Sequence, residues 1–128
     1  KELNQQRPFR ILCVTILTSW GEESLPSIIK PQPISQLVQE LANLVKSVGL
    51  RGLVLSGEEL EILKQSGFYL VTPGIRFSDQ ESNDQKRVKG PKEAIQSGSS
   101  LLVVGRPIIG AKNPKEAALD FMTAIYDF

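Results

Sequence analysis

The sequence predicts an α/β fold in which parallel strands alternate with helices. Four short apolar runs, several rich in β-branched residues, are separated by stretches with helical periodicity or by polar segments. Strands that alternate with helices pair in parallel through right-handed crossovers. With 128 residues, 41% of them apolar and 23% charged, we expect one domain over residues 1–128 without an internal boundary. The predicted strands are Phe9–Leu17, Arg51–Leu55, Phe68–Thr72 and Leu101–Val104.

The first strand is predicted to be buried, and it ends at two small hydroxyl residues, Thr18 and Ser19. Ligands of α/β folds bind at the carboxyl ends of the strands, which makes both residues candidates for ligand contact. Thr18 or Ser19 could equally turn the chain or cap a following turn. The sequence leaves both interpretations open.

An irregular segment, Trp20–Pro33, precedes the first long helix, and we expect a short helical turn at Glu22–Leu25. The helix is predicted over Ser35–Val48, with Ser35 as the N-cap and Gly49 at the end. An apolar stripe at helical spacing is predicted to face the core. It consists of Leu37, Leu41, Leu44, Val45 and Val48.

The second helix is predicted over Glu58–Gln65, with Leu60 and Leu63 facing inward. Glu58 and Glu59 lie in its first turn, where the helix dipole favours carboxylates. A catalytic carboxylate pair would fit there too, but the dipole suffices to explain these residues.

Behind the third strand, the turn Pro73–Arg76 leads into a long polar stretch, Phe77–Lys89. A loop of this length is often functional, for instance as an active-site lid, although its composition also suits a plain solvated loop. A short helix, Pro91–Ser97, follows with Pro91 in its first turn, and Gly98 ends it.

The stretch Leu101–Ile109 begins with four apolar residues, which predicts a strand buried on both faces. It is interrupted by Gly105 and Arg106. A glycine allows close approach of the backbone to a ligand, and an arginine offers a fork of donors suited to phosphate. The pair could form a phosphate cradle or simply end a strand at a surface arginine. The last helix is predicted over Lys115–Tyr126.

Composition excludes several classes of function. A net charge of +1 argues against a nucleic-acid partner, and no apolar stretch is long enough to cross a membrane. The single cysteine, Cys13, and the absence of histidine exclude a Cys/His metal site and a histidine-based triad within this chain. The polar N-terminus has no signal-peptide core, and we expect a cytoplasmic protein.

Four β/α units make either a small open sheet or half of a (β/α)8 barrel, since a complete barrel needs about 200 residues or more. The strand ends carry an ordered set of motifs: Val71–Arg76, then Asp84–Arg87, then Val103–Ile108. Together they resemble the orotidine 5′-phosphate decarboxylase family in its bacterial-type branch. Val14–Ser19 and Gly52–Ser56 resemble the family's fifth and sixth strands. The resemblance therefore implies a TIM (β/α)8 barrel family, with this chain covering strands five to eight.

The resemblance implies decarboxylation of orotidine 5′-monophosphate to uridine 5′-monophosphate and CO2, in de novo pyrimidine biosynthesis, without a metal or organic cofactor. It places Thr18 at the nucleotide, and Gln85 at phosphate and pyrimidine. Gly105 and Arg106 match the family's phosphate-binding pair. The residues implied to bind substrate are Thr18, Ser19, Pro73, Arg76, Gln85, Gly105 and Arg106.

Two departures from the family pattern stand out. The chain has Lys89-Gly90-Pro91 where the family commonly has threonine before that proline, a change expected to affect the N-cap of the helix and not the ligand. More importantly, the family's Asp-x-Lys-x-x-Asp motif is missing. No catalytic residue is therefore expected in this chain, and the implied partners are an N-terminal half-barrel and, in the complete enzyme, a second copy. The alternative is a catalytically inactive phosphate-binding half-barrel or assembly module.

Overall fold

The computed structural model describes residues 9–29, 31–78 and 87–126. Four strands form one parallel sheet in chain order, as the sequence predicts. The strands are β1 (Cys13–Val14), β2 (Gly52–Val54), β3 (Tyr69–Thr72) and β4 (Leu101–Leu102). The helices are α1 (Ile34–Ser47), α2 (Leu60–Leu63), α3 (Pro91–Gln96), α4 (Arg106–Ile109) and α5 (Pro114–Tyr126), with 3-10 turns at Glu22–Ser24 and Gly57–Glu59.

The register of the sheet separates two faces. Cys13, Leu53 and Leu70 lie in one row across β1, β2 and β3, and this row belongs to the hydrophobic core. Core residues from the helices, among them Val38 and Phe121, belong to the same cluster. This face of the sheet is therefore the one that the helices cover.

The opposite face carries a second apolar row, which we call the open sheet face. Val14, Val54, Val71 and Leu101 are partners in register across all four strands. The ends of this row, Val14 and Leu101, are 59% and 44% exposed, and Val103 beyond it is 46% exposed, whereas Val71 in the middle of the row is only 3% exposed. Burial of β4 on both faces, predicted from its apolar run, is thus wrong for the described part of the chain, because successive strand residues point to opposite sides and Leu101 and Val103 share the exposed side.

The first strand is shorter and less buried than predicted. Only Cys13–Val14 forms the ladder, and Phe9, Leu12 and Leu17 are each about two-fifths exposed or more. Among the described residues β1 pairs with β2 alone, and two residues of each strand form the ladder. The apolar run is real, but much of it lies on the open sheet face or beyond the ladder.

The long helix α1 is found at the predicted place with a different inner face. It begins at Ile34 after Pro33, so Ser35 lies inside the first turn and is not the N-cap. Ile34, Val38 and Ala42 are the buried residues, with Leu37, Leu41 and Val45 packed beside them. Leu44 and Val48, predicted to face inward, are 63% and 59% exposed. The helix ends before Gly49, whose φ of +78° is the left-handed conformation typical of a helix terminus.

The shorter helices confirm most of the pattern. Leu60 and Leu63 of α2 are both buried, and Pro91 opens α3 as predicted. The N-cap of α3 is Gly90, which has no side-chain oxygen, and its N–H donates to Oε2 of Glu93 at 3.3 Å. No helix in the described part of the chain combines the length and the apolar character that crossing a bilayer requires.

Candidate functional site

The predicted binding residues follow three strands of one parallel sheet, so they lie towards the same edge. Ser19 follows β1, Pro73 directly follows β3, and Gly105 follows β4. Because β3 and β4 are neighbours, Arg76 and Arg106 follow adjacent strands. Gln85 lies outside the described residues, and its contribution stays a prediction. This edge corresponds to the one at which α/β barrels bind their ligands.

The chain turns shortly after β1, at Leu17–Trp20. Thr18 and Ser19 occupy the two central positions of a turn closed by a hydrogen bond from the Trp20 N–H to the Leu17 carbonyl, 3.0 Å. The side chain of Thr18 is buried, and Ser19 is partly exposed. The structural role that the sequence allowed for these residues is therefore present. Their contact with a ligand stays a prediction.

After β3, the backbone is fixed against the start of the segment that leads into α3. Ile75 and Lys89 form an isolated parallel bridge, and the Arg76 N–H donates to the Lys89 carbonyl at 3.1 Å. Gly74 has a φ of +74°, which the turn requires and which a side chain would disfavour. Arg76 is only 6% exposed, and its guanidinium also donates to the Ile75 carbonyl at 2.8 Å.

Arg76 lines a cavity of about 450 Å³ between the end of β3, the start of α3 and the side of α5. Lys89 and Lys92 contribute further cationic side chains, and Glu93 contributes one carboxylate. The cavity therefore has a net positive lining that suits an anionic group. Its other lining residues are Phe77, Ser78, Val88, Gly90, Pro91 and Ala124.

The end of β4 is open to solvent. Gly105 and Arg106 are both exposed, and a Cβ placed on Gly105 would meet no atom within 4 Å. The helical turn α4 begins at Arg106, with the Ile108 N–H donating to the Gly105 carbonyl at 2.9 Å. The space next to Gly105 is thus available to a ligand, as a phosphate cradle requires.

The most extensive buried polar contact in the described part of the chain was not predicted from the sequence. Arg87 and Glu59 form an ion pair, and their side chains are about 95% buried. The second carboxylate oxygen of Glu59 accepts from the Ser56 hydroxyl at 2.6 Å, and Ser56 Oγ accepts from the Glu58 N–H at 3.2 Å. The helix dipole therefore does not suffice to explain Glu59. The Ser56-x-x-Glu59 spacing, typical of a capping box, was the available signal.

The guanidinium of Arg87 also reaches across to the end of β1. Its Nε donates to the Trp20 carbonyl at 3.1 Å, and Nη2 donates to the carbonyls of Ile16 and Leu17 at 3.2 and 2.9 Å. One buried cation thus contacts the turn that carries Thr18 and the carboxylate that follows β2. We call Arg87, Glu59 and Ser56 the arginine hub.

Outside this edge, one carboxyl among the described residues has a shifted pKa. A hydrogen bond from Ser97, with charge support from Lys64 and Lys89, holds the pKa of Glu61 below its usual value. The ionised form is the favoured one, so its contribution to stability is lost as pH falls through that lowered pKa. Glu61 is an exposed residue of α2, and this effect concerns the helix surface.

The fold and the site together define a parallel α/β protein of the barrel type, with candidate binding residues that follow the carboxyl ends of the strands. Residues 1–121 match the family described as "Orotidine 5'-phosphate decarboxylase / HUMPS family". The chain belongs to this family, and its resemblance to a decarboxylase barrel is confirmed.

Similar proteins agree with this assignment. Orotidine 5'-phosphate decarboxylase from Citrifermentans bemidjiense is 43% identical over 112 residues, which are 85% of this chain and 47% of the relative. The enzyme of the same name from Syntrophotalea carbinolica is 45% identical over 87% of this chain and 47% of its own length. The crystal structure of orotidine 5'-phosphate decarboxylase from Lactobacillus acidophilus superposes with a TM-score of 0.72 at 33% identity, over 91% of this chain and 49% of that one. The chain spans about half the length of the curated relatives it matches.

Proposed function

We propose that this chain is the substrate-binding half of an orotidine 5′-phosphate decarboxylase. The reaction would convert orotidine 5′-monophosphate to uridine 5′-monophosphate and CO2, as the names of the relatives indicate. The observation that carries the proposal is the placement of Arg76 and Gly105-Arg106 behind adjacent parallel strands of a family member. Such strand ends hold the phosphate in many barrels of this type.

The role of this half would be binding and alignment rather than bond breaking. Arg76, Gln85, Gly105 and Arg106 would hold the phosphate, away from the pyrimidine carbon that loses CO2. Binding energy from a remote group can align the substrate and lower the barrier at the reacting centre. Thr18, Ser19 and Pro73 would contact the nucleoside part of the substrate.

Bond breaking would depend on residues of the other half-barrel. The proposed chemistry uses an Asp-x-Lys-x-x-Asp array to stabilise and protonate a carbanion, and the 128 residues do not contain that array. We therefore propose that the two halves act together in a cytoplasmic enzyme that forms a homodimer when complete. The chain alone would bind without turnover.

The test is a decarboxylation assay on this chain, on the remaining half of the Citrifermentans bemidjiense relative, and on the two together. We expect turnover of orotidine 5′-monophosphate only in the mixture, which we call the reconstituted pair. The complete Citrifermentans relative is the positive control for the assay. If the mixture associates and shows no turnover, the enzymatic proposal fails, and the alternative is a catalytically inactive phosphate-binding half-barrel or assembly module.

The open sheet face predicts association of the chain. Val14 and Leu101, at the ends of its register row, are apolar and 59% and 44% exposed. Strands β1 and β4 each pair on one side only among the described residues, and unpaired strand edges favour association. We expect analytical ultracentrifugation to detect concentration-dependent association of the isolated chain.

A matched pair of variants identifies the surface responsible. Val14→Lys should weaken association, because it places a charge in the apolar row of the sheet. Leu44→Lys is the control, since Leu44 is exposed to a similar extent, 63%, but lies on α1. A chain that stays monomeric at high concentration, or an equal effect of both variants, would contradict a role for the open sheet face.

A further inference from the structure

The arginine hub ties together two parts of the site that are distant in sequence. Arg87 lies 28 residues after its ion-pair partner Glu59 and 67 to 71 residues after the carbonyls that accept its other hydrogen bonds. Those carbonyls belong to Ile16, Leu17 and Trp20, on both sides of Thr18. The guanidinium thus holds the first turn from both ends.

Glu59, the carboxylate partner of Arg87 in the arginine hub, is also held in place by its neighbours. Glu59 is 4% exposed and is fixed by the Ser56 hydroxyl, which itself is fully buried. Two residues beyond Arg87, the ammonium of Lys89 donates to the Gly57 carbonyl at 3.2 Å and to Ser97 Oγ at 2.7 Å. A Cβ on Gly57 would come within 2.5 Å of Lys89 Cβ, so the two segments are in direct contact. The segment that carries Arg87 and Lys89 is therefore held firmly against the end of β2.

We propose that Arg87 is a positioning residue: held by Glu59, it fixes the Leu17–Trp20 turn in the arrangement that places Thr18 against the nucleotide. The inference rests on the proposed function, because it assigns Thr18 a contact with substrate. It extends that function, because Arg87 touches backbone carbonyls and a carboxylate, and acts on substrate only through the turn.

An arginine is suited to this task and a lysine is not. The planar guanidinium presents donors in several fixed directions, so one side chain can satisfy a carboxylate and three separate carbonyls. An ammonium group in its place keeps the charge for Glu59 and loses the spread of donors. Arg87→Lys therefore keeps a cation beside Glu59 and removes the hydrogen bonds to the carbonyls of the turn, so its effect reports on those hydrogen bonds.

The first measurement uses Trp20, the single tryptophan of the chain. Its carbonyl accepts from Arg87 Nε, and it is part of the turn in question. In the isolated chain we expect Arg87→Lys to shift the emission maximum of Trp20 while the far-ultraviolet circular dichroism stays as in the parent. The matched control is Arg51→Lys, because Arg51 is exposed and donates to the carbonyls of Lys46 and Leu50, before β2.

The second measurement is the affinity of the reconstituted pair for uridine 5′-monophosphate, followed by calorimetry. We expect Arg87→Lys to weaken binding about tenfold or more, as the loss of charge-assisted hydrogen bonds that fix a binding turn would. Arg51→Lys should leave the affinity unchanged. The double variant Arg87→Met/Glu59→Leu removes both charges together, leaves no unpaired buried charge, and should show the same loss if Arg87→Lys fails to fold.

The outcomes separate this inference from the proposed function. If the parent pair binds uridine 5′-monophosphate and a folded Arg87 variant binds it equally well, Arg87 has no positioning role and the inference is overturned. If the parent pair itself does not bind uridine 5′-monophosphate, the proposed function fails instead. The Trp20 emission of the isolated chain then decides by itself whether Arg87 fixes the turn, and an unshifted emission overturns that as well.

Discussion

Replacement of Arg106 by alanine is expected to lower kcat/KM for orotidine 5′-monophosphate by about 10- to 100-fold in the reconstituted pair. This decrease in kcat/KM corresponds to the loss of one charge-assisted hydrogen-bonding group, which contributes about 1.5–3 kcal/mol. Arg106 is exposed at the start of α4, so the fold should survive its truncation. Steady-state kinetics and a thermal melt on the same preparation measure both effects.

A substrate without the phosphate provides the control for this prediction. Orotidine lacks the group that Arg106 is proposed to hold, so Arg106→Ala should leave kcat/KM for orotidine nearly unchanged. Lys112→Ala is the matched surface variant, since Lys112 is an exposed cation of the following loop. An equal loss with both substrates, or no loss with either, would remove Arg106 from the phosphate site.

The second large effect is expected in the core. Leu60 is fully buried and belongs to the hydrophobic cluster between sheet and helices. Leu60→Ala should lower the free energy of unfolding by about 2–5 kcal/mol, through lost burial and the cavity left behind. Denaturant titration of the isolated chain at one fixed concentration measures this change.

Leu44→Ala is the matched control for the core variant, because it removes the same atoms from an exposed position. Leu44 is 63% exposed, so we expect a change below about 0.5 kcal/mol. The helical stripe read from the sequence places Leu44 in the core and predicts a large loss at both positions. Equal losses would therefore contradict the inner face that the structure gives to α1.

The difference at Leu44 shows what periodicity could and could not predict. Apolar residues at helical spacing located α1 to within one residue at each end. They did not fix its rotation, because α1 carries more apolar residues than one face holds. Ile34, Val38 and Ala42 are the buried residues, and Leu44 is exposed. Rotation depends on the shape of the sheet beneath the helix, which a single sequence does not contain.

Strand order was predictable because it depends on local signals. Alternation of apolar runs and helices is enough to predict a parallel sheet, and Pro73 marks where β3 stops. The ends of β1 and β4 were predicted too late, because their apolar runs continue beyond the ladder. The depth of burial was not predictable for β1 and β4. A continuous apolar run indicates two covered faces, whereas Val14 and Leu101 lie on a face that the described residues leave open.

The candidate site was predicted where motifs are contiguous and missed where they are not. Gly105-Arg106 and Pro73–Arg76 are short motifs that follow strands, and the structure has them behind β4 and β3. The contact between Arg87 and Glu59 joins residues 28 positions apart. Arg87 belongs to the Asp84–Arg87 motif and Glu59 to the Ser56-x-x-Glu59 spacing, but neither signal predicts that the two residues pair, and only the folded sheet brings their segments together.

The most direct test of the account is a crystal structure of the reconstituted pair with uridine 5′-monophosphate. The central claim is that this chain holds the nucleotide phosphate at the ends of β3 and β4. It predicts phosphate oxygens within hydrogen-bonding distance, about 2.7–3.2 Å, of the Arg106 guanidinium and of the backbone N–H of Gly105. A phosphate bound at any other strand end, with Arg106 turned to solvent, would contradict it.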